Sequence, residues 1–209
     1  MVRRTKDEAQ ATRERLLDTA EAVFLARGLS RSSLQDIAAA AGLTRGAIYW
    51  HFADKLALFD AMMTRIDLPM EQALSAAEAG AQDGRTADPL AALRTLALVP
   101  FTLMREEPRV RRVFTILMHR AEFVGDLAPL AGRQHEALRA FLVRLERLFE
   151  AARRAGALAP GTDPRLAAIA LLALIDGLLR LCTQGDCSEV LMAAVAPAVD
   201  ALLAGLRKT

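Results

Sequence analysis

The 209-residue sequence predicts an all-α protein, and three observations carry that prediction. Hydrophobic residues make up 53% of the chain but aromatics only 5%, an Ala- and Leu-rich balance that suits packed helices better than sheets. Apolar residues recur three and four positions apart in one segment after another. Between those segments lie helix start and stop signals, chiefly glycines and Asp-Pro pairs.

The elements follow in chain order. Leu16, Leu17, Ala20, Val23 and Phe24 form one face of a first helix from about Glu8 to Arg27, stopped by Gly28. Ser33 followed by Asp36 reads as a capping box, opening a short helix whose inward face is Leu34, Ile37, Ala38 and Ala41. Thr44 caps a third helix, and Asp54 a fourth that runs through Leu58, Phe59, Met62 and Ile66 until Pro69 interrupts it. Asp88-Pro89 and Asp163-Pro164 each pair a cap with a first-turn proline. Further helices are expected from Pro108, from about Leu127 to Ala155, and from Ser188 to the end, while Pro100 should bend or break the run around it.

Two short helices joined by a tight turn, here Ala41, Gly42 and Leu43, form the helix-turn-helix arrangement whose second helix enters a DNA major groove. That second helix reads TRGAIYWHF over residues 44 to 52. Ala47, Ile48 and Phe52 can face inward, which leaves Arg45, Tyr49 and His51 to project outward; Trp50 is expected in the core. Arg45 suits bidentate bonding to guanine, Gly46 permits close backbone approach, and Tyr49 can meet a thymine methyl or a phosphate. Arg3, Arg4 and Lys6 form a basic arm, expected to be disordered without DNA. With Ser33, Thr44 and Lys55 they complete the expected DNA-facing set.

Charge distribution agrees. The net charge is +2, and residues 1 to 55 hold nine Lys or Arg against seven Asp or Glu while the remainder holds eighteen of each, so the whole excess lies at the N-terminal end. The opening residues lack the apolar stretch of a secretory signal, and the apolar run from Leu166 to Ile175 is too short to span a bilayer, so a soluble cytoplasmic protein is expected without membrane contact. Cys182 and Cys187 match neither a redox nor a zinc spacing and read as packing residues. His51, His119 and His135 fall on three different helices with no metal or catalytic motif, so no enzyme, metal or cofactor is expected.

The stretch SSLQDIAAAAGLTRGAIYWHFADKLALF, residues 32 to 59, resembles the helix-turn-helix signature of the TetR/AcrR family of transcriptional repressors, with both caps, the turn glycine and Lys55 in register. The opening RRTKDEAQATRERLLDTAEAVF, DPLAALR at 88 to 94 and AEFVGDL at 121 to 127 are similar to the AcrR-like subgroup. The resemblance implies an N-terminal three-helix DNA-binding domain over residues 1 to 55. It also implies a ligand-binding and dimerisation domain over residues 56 to 209. The implied function is control of an efflux operon of the resistance-nodulation-division type, through a palindromic double-stranded operator. The alternative is a metabolic operon that answers to one metabolite.

The second half offers weaker signals. RLAAIALLALIDGLLRLC and EVLMAAVAPAVDALLAGL are apolar over more of their circumference than a surface helix tolerates, so they are expected to pair with their symmetry mates as a homodimer. A small hydrophobic inducer, such as a drug, dye or plant-type aromatic compound, needs an apolar pocket with a few polar tethers. Phe114, Leu117 and Met118 would form one wall, Leu93 and Leu96 another, and Leu171, Leu172 and Ile175 a third. Ile66, Leu138, Phe141 and Leu142 add to these, with Asp67, Gln134 and Asp176 as candidate tethers. Asp176 reads equally well as a partner of Arg180.

Overall fold

A computed structural model describes residues 6–82, 88–185 and 189–208; among them every regular element except one isolated bridge is helical. The helices are α1 (Lys6–Arg27), α2 (Leu34–Ala40), α3 (Arg45–His51), α4 (Lys55–Gln82), α5 (Pro89–Glu106), α6 (Pro108–His119), α7 (Ala128–Arg154), α8 (Pro164–Thr183) and α9 (Glu189–Leu206). The chain divides into two compact units: residues 1–66 with 108–132, and residues 67–107 with 133–209.

In the first unit the predicted apolar faces are the core. Leu16, Leu17, Ala20, Val23 and Phe24 of α1 are buried, as are Leu34, Ile37 and Ala38 of α2 and Leu58, Phe59, Met62 and Ile66 of α4. One buried member of the α1 stripe is charged. Glu21 is fully buried and accepts bonds from Arg65 of α4 and from Arg112 Nε of α6 at 3.0 Å, so one carboxylate ties three helices together. Arg65 also reaches Asp18 at 2.7 Å and Glu14 at 2.6 Å. Burial acts to lower the Arg65 pKa, but the bonds to Glu14, Asp18 and Glu21 outweigh it and hold the guanidinium charged. Removing one partner would strand a buried charge, the costly way to break such a cluster.

The second unit is built on α5, α8, α9 and most of α7. Asp88 caps α5 through Leu90 N at 3.0 Å, and Asp163 caps α8 through Arg165 N at 2.8 Å, as their Asp-Pro pairs predict. Arg94 pairs with Asp200 and so joins α5 to α9. Arg144 of α7 binds Glu71 and Glu78 of α4 at 2.6 Å each.

Neither proline ends its helix. α4 continues through Pro69 to Gln82, and α5 continues through Pro100 to Glu106. A proline costs one backbone hydrogen bond and crowds the preceding turn, but it does not forbid helix on either side when flanking side chains pack. Pro100 is itself buried among Leu96, Ala97 and Phe101 of its own helix.

Candidate nucleic-acid interface

Residues 33 to 52 form a helix, a turn and a second helix, each set by local rules. Ser33 Oγ accepts from Asp36 N at 3.1 Å while Asp36 Oδ2 accepts from Ser33 N at 2.9 Å, completing the predicted capping box. The Ser33 hydroxyl and then its backbone N–H hold the Asp36 carboxyl below the usual carboxylate range, with Arg27 adding attraction against a small opposing effect of burial. At the other end of α2 the Leu43 N–H donates to Ala38 O at 2.8 Å and the Gly42 N–H to Ala39 O at 3.0 Å. These two bonds close a Schellman turn whose φ of +66° at Gly42 suits glycine. Thr44 Oγ1 then accepts from Ala47 N at 3.3 Å and starts α3.

Along α3, Ile48 and the following Phe52 are buried while Arg45, Gly46 and Tyr49 are exposed. A Cβ added to Gly46 would meet nothing within 4 Å, so the backbone there is open to a close partner. The Arg45 guanidinium sits 5.5 Å from the centre of the Tyr49 ring, one turn along the same helix.

Four expectations need correction. Trp50 is not a core residue: it is 73% exposed, because Ile48 and Phe52 take the inward face and Trp50, two residues from each, falls opposite. His51 does not project outward but is half-buried, its ring 4.6 Å from Trp50 and 6.3 Å from Phe52. Lys55, expected toward a phosphate, is engaged inside the protein: its ammonium donates to the carbonyls of Leu29 at 3.0 Å, Ser30 at 3.4 Å and Ser32 at 2.9 Å. An ammonium has three N–H donors, and all three close the loop between α1 and α2. Lys6 belongs to the first turn of α1, not to a separate arm, while Arg3 and Arg4 lie outside the described residues. Ser33 and Thr44 remain exposed, with their hydroxyls employed as caps.

The expected ligand residues fall in both units. In the first, Ile66 and Phe114 are buried and Leu117 and Met118 half-buried. In the second, Leu93, Leu96, Leu171 and Ile175 are buried, Gln134, Phe141, Leu142 and Leu172 half-buried, and Asp67 and Leu138 exposed. Asp176 is not a buried tether: its side chain is 45% exposed and accepts from Arg180 Nε at 2.9 Å, the pairing that its i, i+4 spacing offers. An open groove of about 880 Å³ on the first unit, lined by α1 and Ala40, includes none of the expected ligand residues.

The last two helices leave apolar surface uncovered. By length and composition alone α8 and α9 could each cross a bilayer, a stronger apolar signal than the sequence reading allowed because Asp176 and Asp200 interrupt composition without ending a helix. Only 39% of the most apolar window of α8 and 17% of that of α9 is buried. Leu166, Ile169, Leu181 and Val190 stand exposed. Cys182 is buried, and Cys187 lies outside the described residues.

Residues 16–62 match the family model described as bacterial regulatory proteins, tetR family, and residues 88–204 match the C-terminal region of the MAATS-type transcriptional repressors. The chain is 37% identical to the HTH-type transcriptional regulator TtgR of Pseudomonas putida, over 86% of this chain and 84% of TtgR. Its fold superposes with a TM-score of 0.81 and 35% identity on NalD, the secondary repressor of the MexAB-OprM multidrug efflux pump in Pseudomonas aeruginosa, covering 97% of this chain and 98% of NalD. A complex of SmeT with triclosan gives a TM-score of 0.80 at 35% identity, covering 95% and 92%; SmeT is the repressor of the Stenotrophomonas maltophilia efflux pump SmeDEF.

Proposed function

This chain belongs to the TetR family of bacterial regulatory proteins, and from that premise we propose that it represses a multidrug efflux operon as a cytoplasmic homodimer and leaves its operator when a small apolar compound binds. The observation that carries the DNA-reading part is α3 itself: a helix that Thr44 caps directly after the box-capped, Schellman-closed α2, and that nevertheless presents Arg45, Tyr49 and Trp50 to solvent. The choice of operon is supported by the efflux pumps that NalD and SmeT are named for.

On this reading residues 1 to 55 are the functional DNA-binding domain and residues 56 to 209 bind ligand and dimerise. The uncovered faces of α8 and α9 meet their copies in the partner, forming a four-helix bundle that spaces two copies of α3 for successive major grooves. Arg3, Arg4 and Lys6 follow the phosphate backbone. The inducer occupies an apolar pocket within the second unit, whose buried candidates are Leu93, Leu96, Leu171 and Ile175. α4 carries the signal, since it passes from the first unit at Ile66 into the second and runs on to Gln82. A coupling of about 1 to 3 kcal/mol between ligand and operator suffices, and it acts in both directions.

A gel-shift titration with duplex from upstream of the chain's own gene tests the reading head. Arg45→Ala should lower affinity for that duplex by roughly 1 to 3 kcal/mol per half-site while leaving affinity for unrelated DNA nearly unchanged. Unchanged affinity for the upstream duplex would remove Arg45 from the interface.

A further inference from the structure

Arg45 is held from a second side, by a residue of the preceding helix. With the amide of Gln35 turned as the hydrogen-bond pattern requires, its oxygen accepts from Arg45 Nη1 at 2.9 Å and from Arg45 Nε at 3.1 Å. Gln35 is the second residue of α2, immediately after the Ser33–Asp36 capping box opens, so its backbone is fixed by the bonds that start the helix. Its side chain is exposed, as is that of Arg45. The guanidinium therefore lies between an amide oxygen from α2 and the Tyr49 ring of α3.

From this geometry we infer that Gln35 is a positioning residue for base reading: it presets the Arg45 fork before DNA arrives and so sharpens discrimination for guanine. The inference rests on the assignment of Arg45 as a base reader. Guanidinium has five N–H donors, and one acceptor bound to Nε and a single Nη hydrogen leaves three. Two of those, one from each terminal nitrogen, form the outward edge that matches guanine O6 and N7. An unheld arginine must give up several rotamers on binding, and some of the guanine contact is lost to that ordering. Gln35 removes part of this loss without touching a base. The neighbouring Asp36 does not do the same work: its Oδ2 accepts from the Ser33 N–H and hydroxyl, and its Oδ1 from Arg27 Nη1 at 3.4 Å.

The test uses the full-length protein and a duplex from upstream of its own gene, with the guanine read by Arg45 located by methylation interference. Affinities are measured for that duplex and for a copy in which the located G·C pair is A·T. Gln35→Met keeps side-chain length and helix preference but deletes the acceptor. We expect it to lower the preference for G·C by about three- to tenfold per half-site, with an unchanged melting temperature, and to have no further effect on an Arg45→Ala background. A preference equal to wild type overturns the proposal. So does an equal loss on the Arg45→Ala background, which would make Gln35 an independent DNA contact. If Arg45→Ala itself leaves the preference and the interference pattern unchanged, the base-reading assignment falls first, and the role of Gln35 with it.

Discussion

Two regions of this chain expose what most proteins bury, and they do so in opposite chemical styles. α3 leaves Trp50 73% and Tyr49 44% exposed on a short helix that also carries Arg45, with Ile48 and Phe52 sealing the side beneath. α9 leaves Val190 76% exposed and only 17% of its apolar window covered, with Asp200 its one charged residue beyond the first turn. Aromatic rings with a cation beside them are amphipathic and suit a groove lined with phosphates, bases and water. Aliphatic and small residues without charge suit another surface like themselves. On the proposed function, the first is a surface that binds and releases and the second is one that stays covered.

Charge placed on the aliphatic surface should give the largest effect. In the proposed dimer Ile169→Glu would bring a charge from each chain into the shared apolar face, so sedimentation should show monomers of retained helicity, and binding to upstream duplex should fall by more than roughly a hundredfold, since each monomer offers one α3. A dimer with normal affinity would place the interface elsewhere. The loop beneath the reading head comes next. Lys55→Met leaves three carbonyls without their shared donor, so denaturant unfolding should show a loss of about 1 to 3 kcal/mol while the slope of log affinity against log salt stays as in wild type. A slope reduced by about one would return Lys55 to the phosphate backbone. The smallest effect on stability belongs to Trp50→Ala. Its surface is already in water, so stability should stay within about 1 kcal/mol while DNA affinity falls; equal loss in both would mean that Trp50 packs after all.

The same contrast explains how much could be read in advance. Apart from the run of α4 through Pro69, the helices, the capping box of Ser33 and Asp36, the Asp88 and Asp163 caps and the buried residues of α1 and α4 are local patterns of spacing, and they appear in the structure where spacing puts them. Lys55 and Glu21 are different. Their partners lie 23 to 26 residues away for Lys55 and 44 to 91 residues away for Glu21, so tertiary packing alone decides their roles. Glu21 did carry a signal, a lone charge one turn after Leu17 on an otherwise apolar stripe. Trp50 was legible too, since period 3.6 sets it opposite Ile48, but the habit of burying tryptophan outweighed the geometry. Asp176 and Arg180 show the converse: an i, i+4 pair that a single helix satisfies without any ligand.

On the proposed function, ligand separates protein from DNA without separating protein from protein. Sedimentation velocity on a mixture of the chain, fluorescent upstream duplex and saturating triclosan addresses both halves at once. Free duplex together with a protein species of two 22.6 kDa chains is expected. Free duplex with single chains would contradict the α4 lever, and duplex still carrying two chains would contradict release by that compound.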